Sequence, residues 1–243
     1  MIKILDLNLW RYNDFENRLK NFLKVIKIKN PDVVFLQEVQ IDTSISFFSQ
    51  VEIIKKKLDK KLGYRYTLHS TISLKDHQSG KKLKIPIQHG MAILSKHPIL
   101  NSFEYYLQKN TSELEPRSIL CFDLEINNEI HKFANIHFAN NEKLAKVQLK
   151  EFLNFLVKRK EKRILVGDFN MFKLSNYFKK NKNSLFSEYN LSNDFKKYIS
   201  YKKDSGTLDY ILLPKKYYFN ELVCLEEYLS DHNGLYIEIK NLT

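Results

Sequence analysis

Apolar residues alternate with Lys, Asp and Asn over residues 2–9, a period of two that predicts a half-buried strand ending near Asn8. At Phe15, Leu19, Phe22, Leu23 and Ile26 the spacing becomes helical, with Asn13 as the expected cap and Glu16 three residues on as its capping-box partner. Asn30 and Pro31 stop that helix, and residues 32–38 run apolar into Gln37 and Glu38, a second strand that ends in a carboxylate. A strand, helix and strand in this order form a right-handed crossover with parallel strands, which sets the ends at Asn8 and Glu38 side by side.

Residues 47–62 predict a Lys-rich amphipathic helix and 64–72 a strand dense in aromatic and β-branched side chains. The stretch 74–88 is polar, basic and broken by Gly80 and Pro86, a loop or hairpin beside a cleft. Buried strands resume at 90–95 and 99–107. Residues 117–126 and 130–138 pair as a hairpin about Asn127 and Asn128, its second strand carrying His137 near the end. Ala145, Leu149, Phe152, Leu153 and Leu156 repeat the helical spacing. Ile164, Leu165 and Val166 then lead into Gly167, Asp168, Phe169 and Asn170, where the glycine permits a tight turn and the two polar residues, two apart on an extended chain, share one side. A strand at 208–213, closed by Pro214, and a polar turn at 229–234 leading into 235–239 complete the pattern.

Strands interleaved with helices and then hairpins place the chain in the α/β class. With 43% hydrophobic residues, 6 Gly and 5 Pro in 243, there is no sign of a linker, repeat or disordered tract, so residues 1–243 read as one domain. Cys121 and Cys224 stand alone in apolar stretches and read as buried free thiols, with no zinc-type spacing. No basic leader followed by an apolar core opens the chain, and no uncharged apolar run approaches the ~20 residues of a membrane span, so the expectation is cytoplasmic. The net charge of +12 suits an anionic partner, nucleic acid or an anionic lipid surface, and equally fits Lys scattered by compositional bias. Only clusters distinguish these: Lys55 to Lys57 with Lys60 and Lys61; Lys75 with Lys81, Lys82 and Lys84; and Lys196 and Lys197 beside Lys202 and Lys203.

Five strand-associated stretches thus supply Asn8, Glu38, His137, Asp168 with Asn170, and Asp231 with His232. Carboxylate and amide oxygens suit a hard cation such as Mg²⁺ or Mn²⁺, and the lack of a His-rich set argues against zinc. Phosphoryl transfer is the chemistry such a set implies.

In order and spacing, Leu7-Asn8-Leu9-Trp10, Leu36-Gln37-Glu38-Val39, Gly90-Met91-Ala92-Ile93-Leu94-Ser95, Pro116-Arg117, Asn135-Ile136-His137, Gly167-Asp168-Phe169-Asn170, Leu208-Asp209-Tyr210-Ile211 and Ser230-Asp231-His232 resemble the endonuclease/exonuclease/phosphatase superfamily of deoxyribonuclease I-like enzymes. The resemblance implies a four-layer α/β sandwich, two mixed β-sheets packed face to face with helices on both outer faces and a cleft at the strand ends. It implies Glu38 as principal metal ligand with Asn8 and Asp231, and Asp168 as the group that orients or deprotonates water. Asn170 would hold a phosphate oxygen, His137 would be a second phosphate-facing imidazole, and His232, positioned by Asp209, would stabilise the transition state or act as acid and base. Arg117 is carried over as a phosphate contact. The implied activity is that of a Mg²⁺-dependent phosphodiesterase, first a nuclease acting on nucleic acid; the alternative is a phosphatase or sphingomyelinase-like phospholipase on the same metal site. No obligatory protein partner is evident, and a monomer is expected. Two positions depart from relatives. Leu9-Trp10-Arg11 lacks the acid typical of abasic-site endonucleases, which counts against that subclass, and Thr207 stands where many members carry a basic residue.

Overall fold

In the computed structural model, residues 1–73, 87–108, 116–181 and 185–242 are described. The elements run β1 (Ile2–Asn8), α1 (Phe15–Lys29), β2 (Val33–Asp42), α2 (Gln50–Lys57), β3 (Tyr66–Ser73), β4 (Ile87–Ser95), β5 (Ile99–Tyr106), β6 (Ser118–Ile126), β7 (Glu129–His137), α3 (Glu142–Lys158), β8 (Ile164–Asp168), α4 (Leu174–Lys180), β9 (Tyr189–Leu191), α5 (Ser192–Phe195), β10 (Asp209–Pro214), β11 (Tyr217–Leu225) and β12 (Gly234–Asn241). One six-stranded sheet has the order β11, β12, β1, β2, β4, β3 and the other β5, β6, β7, β8, β10, β9. Each contains one parallel pair, β1 with β2 and β7 with β8, the two places where a helix makes the crossover. Among the described residues no helix is long and apolar enough to cross a membrane.

Three apolar clusters define four layers. Ile4, Val33, Phe35 and Ile237 of the first sheet meet Phe122, Phe133, Val166 and Ile211 of the second between the sheets. α1 and α2 cover the outer face of the first sheet through Phe22, Ile26, Val51 and Ile54, and α3 and α4 cover the second through Leu149, Phe152 and Phe178. The fold class expected from sequence is the one observed. Phe35, Phe122 and Phe133 sit with ring centroids 5.5–5.7 Å apart at the middle of the sandwich, so Phe35→Ala would cost about 3–5 kcal/mol.

Several local expectations are corrected. The cap of α1 is Asp14, in a left-handed conformation without a side-chain cap bond, and the Asn13 amide donates to the Trp10 carbonyl. β2 does not stop at Glu38; it continues to Asp42 through a register shift between Leu36 and Val39. The expected helix over 47–62 is shorter, since the capping box of Ser49 and Glu52 fixes its start and Leu58 turns extended before a separate 3₁₀ turn, Lys60–Leu62. Phe47 is left outside it, 89% exposed. β11, a stretch for which no element is expected from sequence, pairs antiparallel with β12. The Asn127–Asn128 turn is as expected: both residues have positive φ, which a two-residue hairpin requires. Cys121 is buried and Cys224 partly so, both free. Lys75, Lys81, Lys82 and Lys84 lie outside the described residues.

Candidate active site

Side chains alternate across a strand, so residues that continue the inter-sheet apolar positions by steps of two must also face between the sheets. From Ile2 and Ile4 that series reaches Asp6 and Asn8; from Val33 and Phe35 it reaches Gln37; from Phe133 it reaches Asn135 and His137; from Ile164 and Val166 it reaches Asp168. β10 runs the other way, so its series from Leu213 and Ile211 ends at Asp209, opposite Asp168 in the ladder. The filling between the sheets therefore changes from hydrocarbon to amides and carboxylates at one end, and that end is the site.

Asp168 is its hub. One carboxylate oxygen, Oδ2, accepts the Asn8 amide at 3.1 Å and lies 3.9 Å from His137 Nε2 and 4.0 Å from His232 Nε2. The other accepts the Asn170 main-chain N–H at 2.8 Å. Behind it, His232 Nδ1 and Asp209 Oδ2 are hydrogen-bonded at 2.8 Å, which fixes the imidazole so that Nε2 faces the cleft. Tyr201 packs its ring against His232 at 4.8 Å between centroids. Burial, then Asp209, push Asp168 up to about 7. Burial pulls His232 down, but Asp209, with Asp168 and Asp231, outweighs it and lifts the imidazole to about 10. His137 goes the other way: burial, then Arg117, hold it well below the ordinary imidazole range. One neutral and one charged imidazole thus flank a carboxyl poised near neutrality.

The facing side is built differently. Glu38 sits in the β2 register shift with φ 51, a left-handed conformation that a non-glycine residue adopts at a cost and that redirects its side chain from the ladder. Its carboxylate is partly exposed, 3.6 Å from Arg11 Nε and 3.9 Å from His137 Nε2. Asn8 Oδ1 accepts the Trp10 N–H at 3.1 Å and retains a second lone pair. An acid and an amide oxygen without hydrogen-bond saturation form the hard-oxygen donor set that Mg²⁺ or Mn²⁺ takes. Asp231, the further oxygen implied from sequence, is partly exposed and accepts the Ser230 hydroxyl at 3.0 Å. Asp168, Asp209 and His232 also gather their ligand-type atoms within 4.8 Å. Since His232 Nδ1 is engaged with Asp209 and burial favours the neutral form of Asp168, that cluster is suited to handling protons rather than to holding a cation.

The geometry around Asn170 differs from the extended pair expected from sequence. Asn170 is left-handed (φ 51), so its main chain folds back on Asp168 while its amide donates to the Phe138 carbonyl at 2.9 Å. Gly167 makes no turn: it lies inside β8 with φ 136, where a Cβ would come within 2.2 Å of the Ile136 carbonyl oxygen. Arg117 does reach the site: its Nη1 lies 3.3 Å from both ring nitrogens of His137, one of which can accept its N–H, and Nη2 donates at 3.1 Å to Asn140. A small pocket between the sheets, lined by Ser70, His89, Arg117, Ser118 and His137, opens there.

Sequence reasoning left Asp6, Gln37, Asn135 and Tyr201 without a role. The Gln37 amide donates to Asp6 at 2.9 Å and to Asn135 at 2.8 Å, and the Asn135 amide donates to Leu36 at 3.1 Å, so a buried polar strut joins the two sheets directly behind the site. Its signal was present as polar residues on the inward period of otherwise apolar strands.

The model of the Endonuclease/Exonuclease/phosphatase family matches residues 7–232. Among solved structures, an endonuclease/exonuclease/phosphatase family protein from Leptotrichia buccalis is 20% identical with a TM-score of 0.75, covering 99% of this chain and 100% of that one. The D. rerio TDP2 complexed with single strand DNA product is 16% identical with a TM-score of 0.69, covering 99% of each. A mannosyl-6-phosphatase from Bacteroides thetaiotaomicron is 14% identical with a TM-score of 0.67, covering 99% of this chain and 100% of that one. No curated protein matches the sequence. With its motifs gathered at one end of a two-sheet sandwich and the family model spanning nearly its whole length, the chain belongs to the Endonuclease/Exonuclease/phosphatase family.

Proposed function

We propose that the protein hydrolyses phosphodiesters with a divalent cation, nucleic acid being the first substrate class, by in-line attack of water on phosphorus. The observation that carries this reading is Asp168, set 3.9 and 4.0 Å from two imidazoles at the mouth of the sandwich and facing Glu38. Asp168 orients the attacking water and takes its proton, a role suited to a carboxyl near 7. His232, held by Asp209, offers Nε2–H to the oxygen that gains charge in the transition state, and neutral His137 with Arg117 holds a second phosphate oxygen. Asn170, linked through its main chain to Asp168, completes the phosphate cradle. Glu38 and Asn8, with Asp231, are the residues that would hold Mg²⁺ or Mn²⁺, which when bound supplies charge neutralisation at the phosphate.

The net charge of +12 and the similarity to a structure holding a single-stranded DNA product favour a polymer. A small phosphomonoester is the second reading, favoured by the comparable similarity to the mannosyl-6-phosphatase. Exposed Ile45 and Phe47 on the loop before α2 favour a lipid phosphodiester of the sphingomyelin type. Purified protein with Mg²⁺, offered labelled single- and double-stranded DNA, RNA, a sugar phosphate, an inositol polyphosphate and sphingomyelin in parallel, separates these, with Glu38→Ala controlling for contaminants. Turnover of a nucleic acid by wild type alone is the expected result. Hydrolysis of only a monoester or only the lipid would replace it, and no Mg²⁺-dependent turnover of any phosphoester would overturn the reading.

A further inference from the structure

Arg18 lies on the first turns of α1, in a position that reads from sequence as one more polar helix residue. Its side chain is only 1% exposed, and its hydrogen bonds go to main-chain carbonyls rather than to an acid. Nε donates to Asn13 at 2.7 Å, Nη1 to Leu9 and to Leu229 at 2.8 Å each, and Nη2 to Arg11 at 3.1 Å. Burying a guanidinium is unfavourable unless its donors are satisfied, and here four carbonyls from two separate segments satisfy it.

Those segments carry the two halves of the site. Leu9 and Arg11 follow Asn8 directly, and their N–H groups donate to the Gln37 and Glu38 carbonyls at 2.8 and 3.2 Å. That stretch also contains left-handed Trp10, Arg11 and Asp14, conformations that need outside support to persist. Leu229 is fully buried and stands two and three residues before Asp231 and His232. A planar fork with five donors can reach carbonyls in divergent directions at once, whereas a lysine ammonium presents its donors from one point.

We propose that Arg18 is a positioning residue that braces the segment after Asn8 against the segment before His232, and so sets the distance between the cation-binding and proton-handling halves of the cleft. It touches neither substrate nor cation; its catalytic consequence rests on the phosphodiesterase reading above.

The test uses the full chain with Arg18→Met and Arg18→Lys, the second retaining the charge in case the first folds poorly. Hydrogen exchange of the metal-free proteins reports whether residues 8–13 and 227–233 loosen together, and steady-state kinetics at saturating Mg²⁺ separate kcat from KM. The brace predicts faster exchange in both segments with the remainder of α1 unchanged, and a kcat lower by about 10²-fold in Arg18→Met with KM little altered, as misplacement by about an ångström does. Arg18→Lys should fall between. Faster exchange confined to α1, or a kcat per folded molecule within about two-fold of wild type in both variants, would overturn it. If wild type hydrolyses no phosphoester while the two segments still loosen together, the brace stands and the functional reading falls.

Discussion

The two halves of the cleft are held in contrasting ways. Asp168 and Asp209 on the second sheet, with His232 reaching them from the loop before β12, are at least nine-tenths buried and wired by short hydrogen bonds, down to the 2.8 Å contact of His232 with Asp209. On the first sheet Glu38 is 22% exposed at its side chain, sits on a left-handed backbone, and has Arg11 Nε at 3.6 Å and the neutral His137 Nε2 at 3.9 Å. In the proposed reaction the buried groups move protons, a role that a fixed tautomer and a dry setting serve. The proposed cation ligand keeps lone pairs open and accessible, as uptake of an ion requires.

The largest break should come from the open half. Glu38→Ala is expected to lower turnover by at least ~10³-fold, the scale on which a cation's charge at phosphorus acts, while circular dichroism stays native because a carboxylate at the cleft is not part of the apolar core. Retained activity in that variant, measured on whichever substrate wild type turns over, would remove Glu38 from the cation site.

In the wired half, Asp168→Asn and His232→Ala should each lower kcat by at least ~10²-fold. Asp209→Asn should cost less, about 10-fold, since it acts through the orientation of His232. Equal losses for Asp209→Asn and His232→Ala would instead make the pair act as one unit.

A pH titration of stability sharpens the contrast further. Asp168 has an ordinary value of 3.8 and a native value of about 7 in the metal-free protein. Because the folded state keeps a proton that the unfolded chain releases, the stability this contributes is complete below about 3.8 and is lost as pH rises to about 7. Thermal melts in EDTA should therefore show a decline over that window that Asp168→Asn flattens. An unchanged slope in Asp168→Asn would assign the proton elsewhere.

Much of this was legible in the chain because a period of two dictates which side chains share a face: the residues that end the strands at Asn8, His137, Asp168 and Asp209 had to meet once the sheets stacked. What was hidden lies where the backbone leaves regular geometry or where one side chain reaches a carbonyl far along the chain. The shift that redirects Glu38 depends on how β2 pairs with β4, a tertiary matter that the local run from Val33 to Val39 does not encode. Asn170 folds back because its own N–H finds Asp168, against the extended geometry that the sequence suggests. Arg18 gives no sign in sequence of its bond to Leu229, 211 residues away, although its other acceptors, Leu9, Arg11 and Asn13, lie nearby.

The division of labour between the halves is tested most directly by Mg²⁺ titration of thermal stability in wild type, Glu38→Ala and His232→Ala. An ion that binds only the native state must raise the melting temperature as its concentration passes the dissociation constant. Wild type and His232→Ala should both rise with Mg²⁺ and Glu38→Ala should stay flat; a rise preserved in Glu38→Ala, or lost in His232→Ala, would place the cation in the buried cluster and contradict the division.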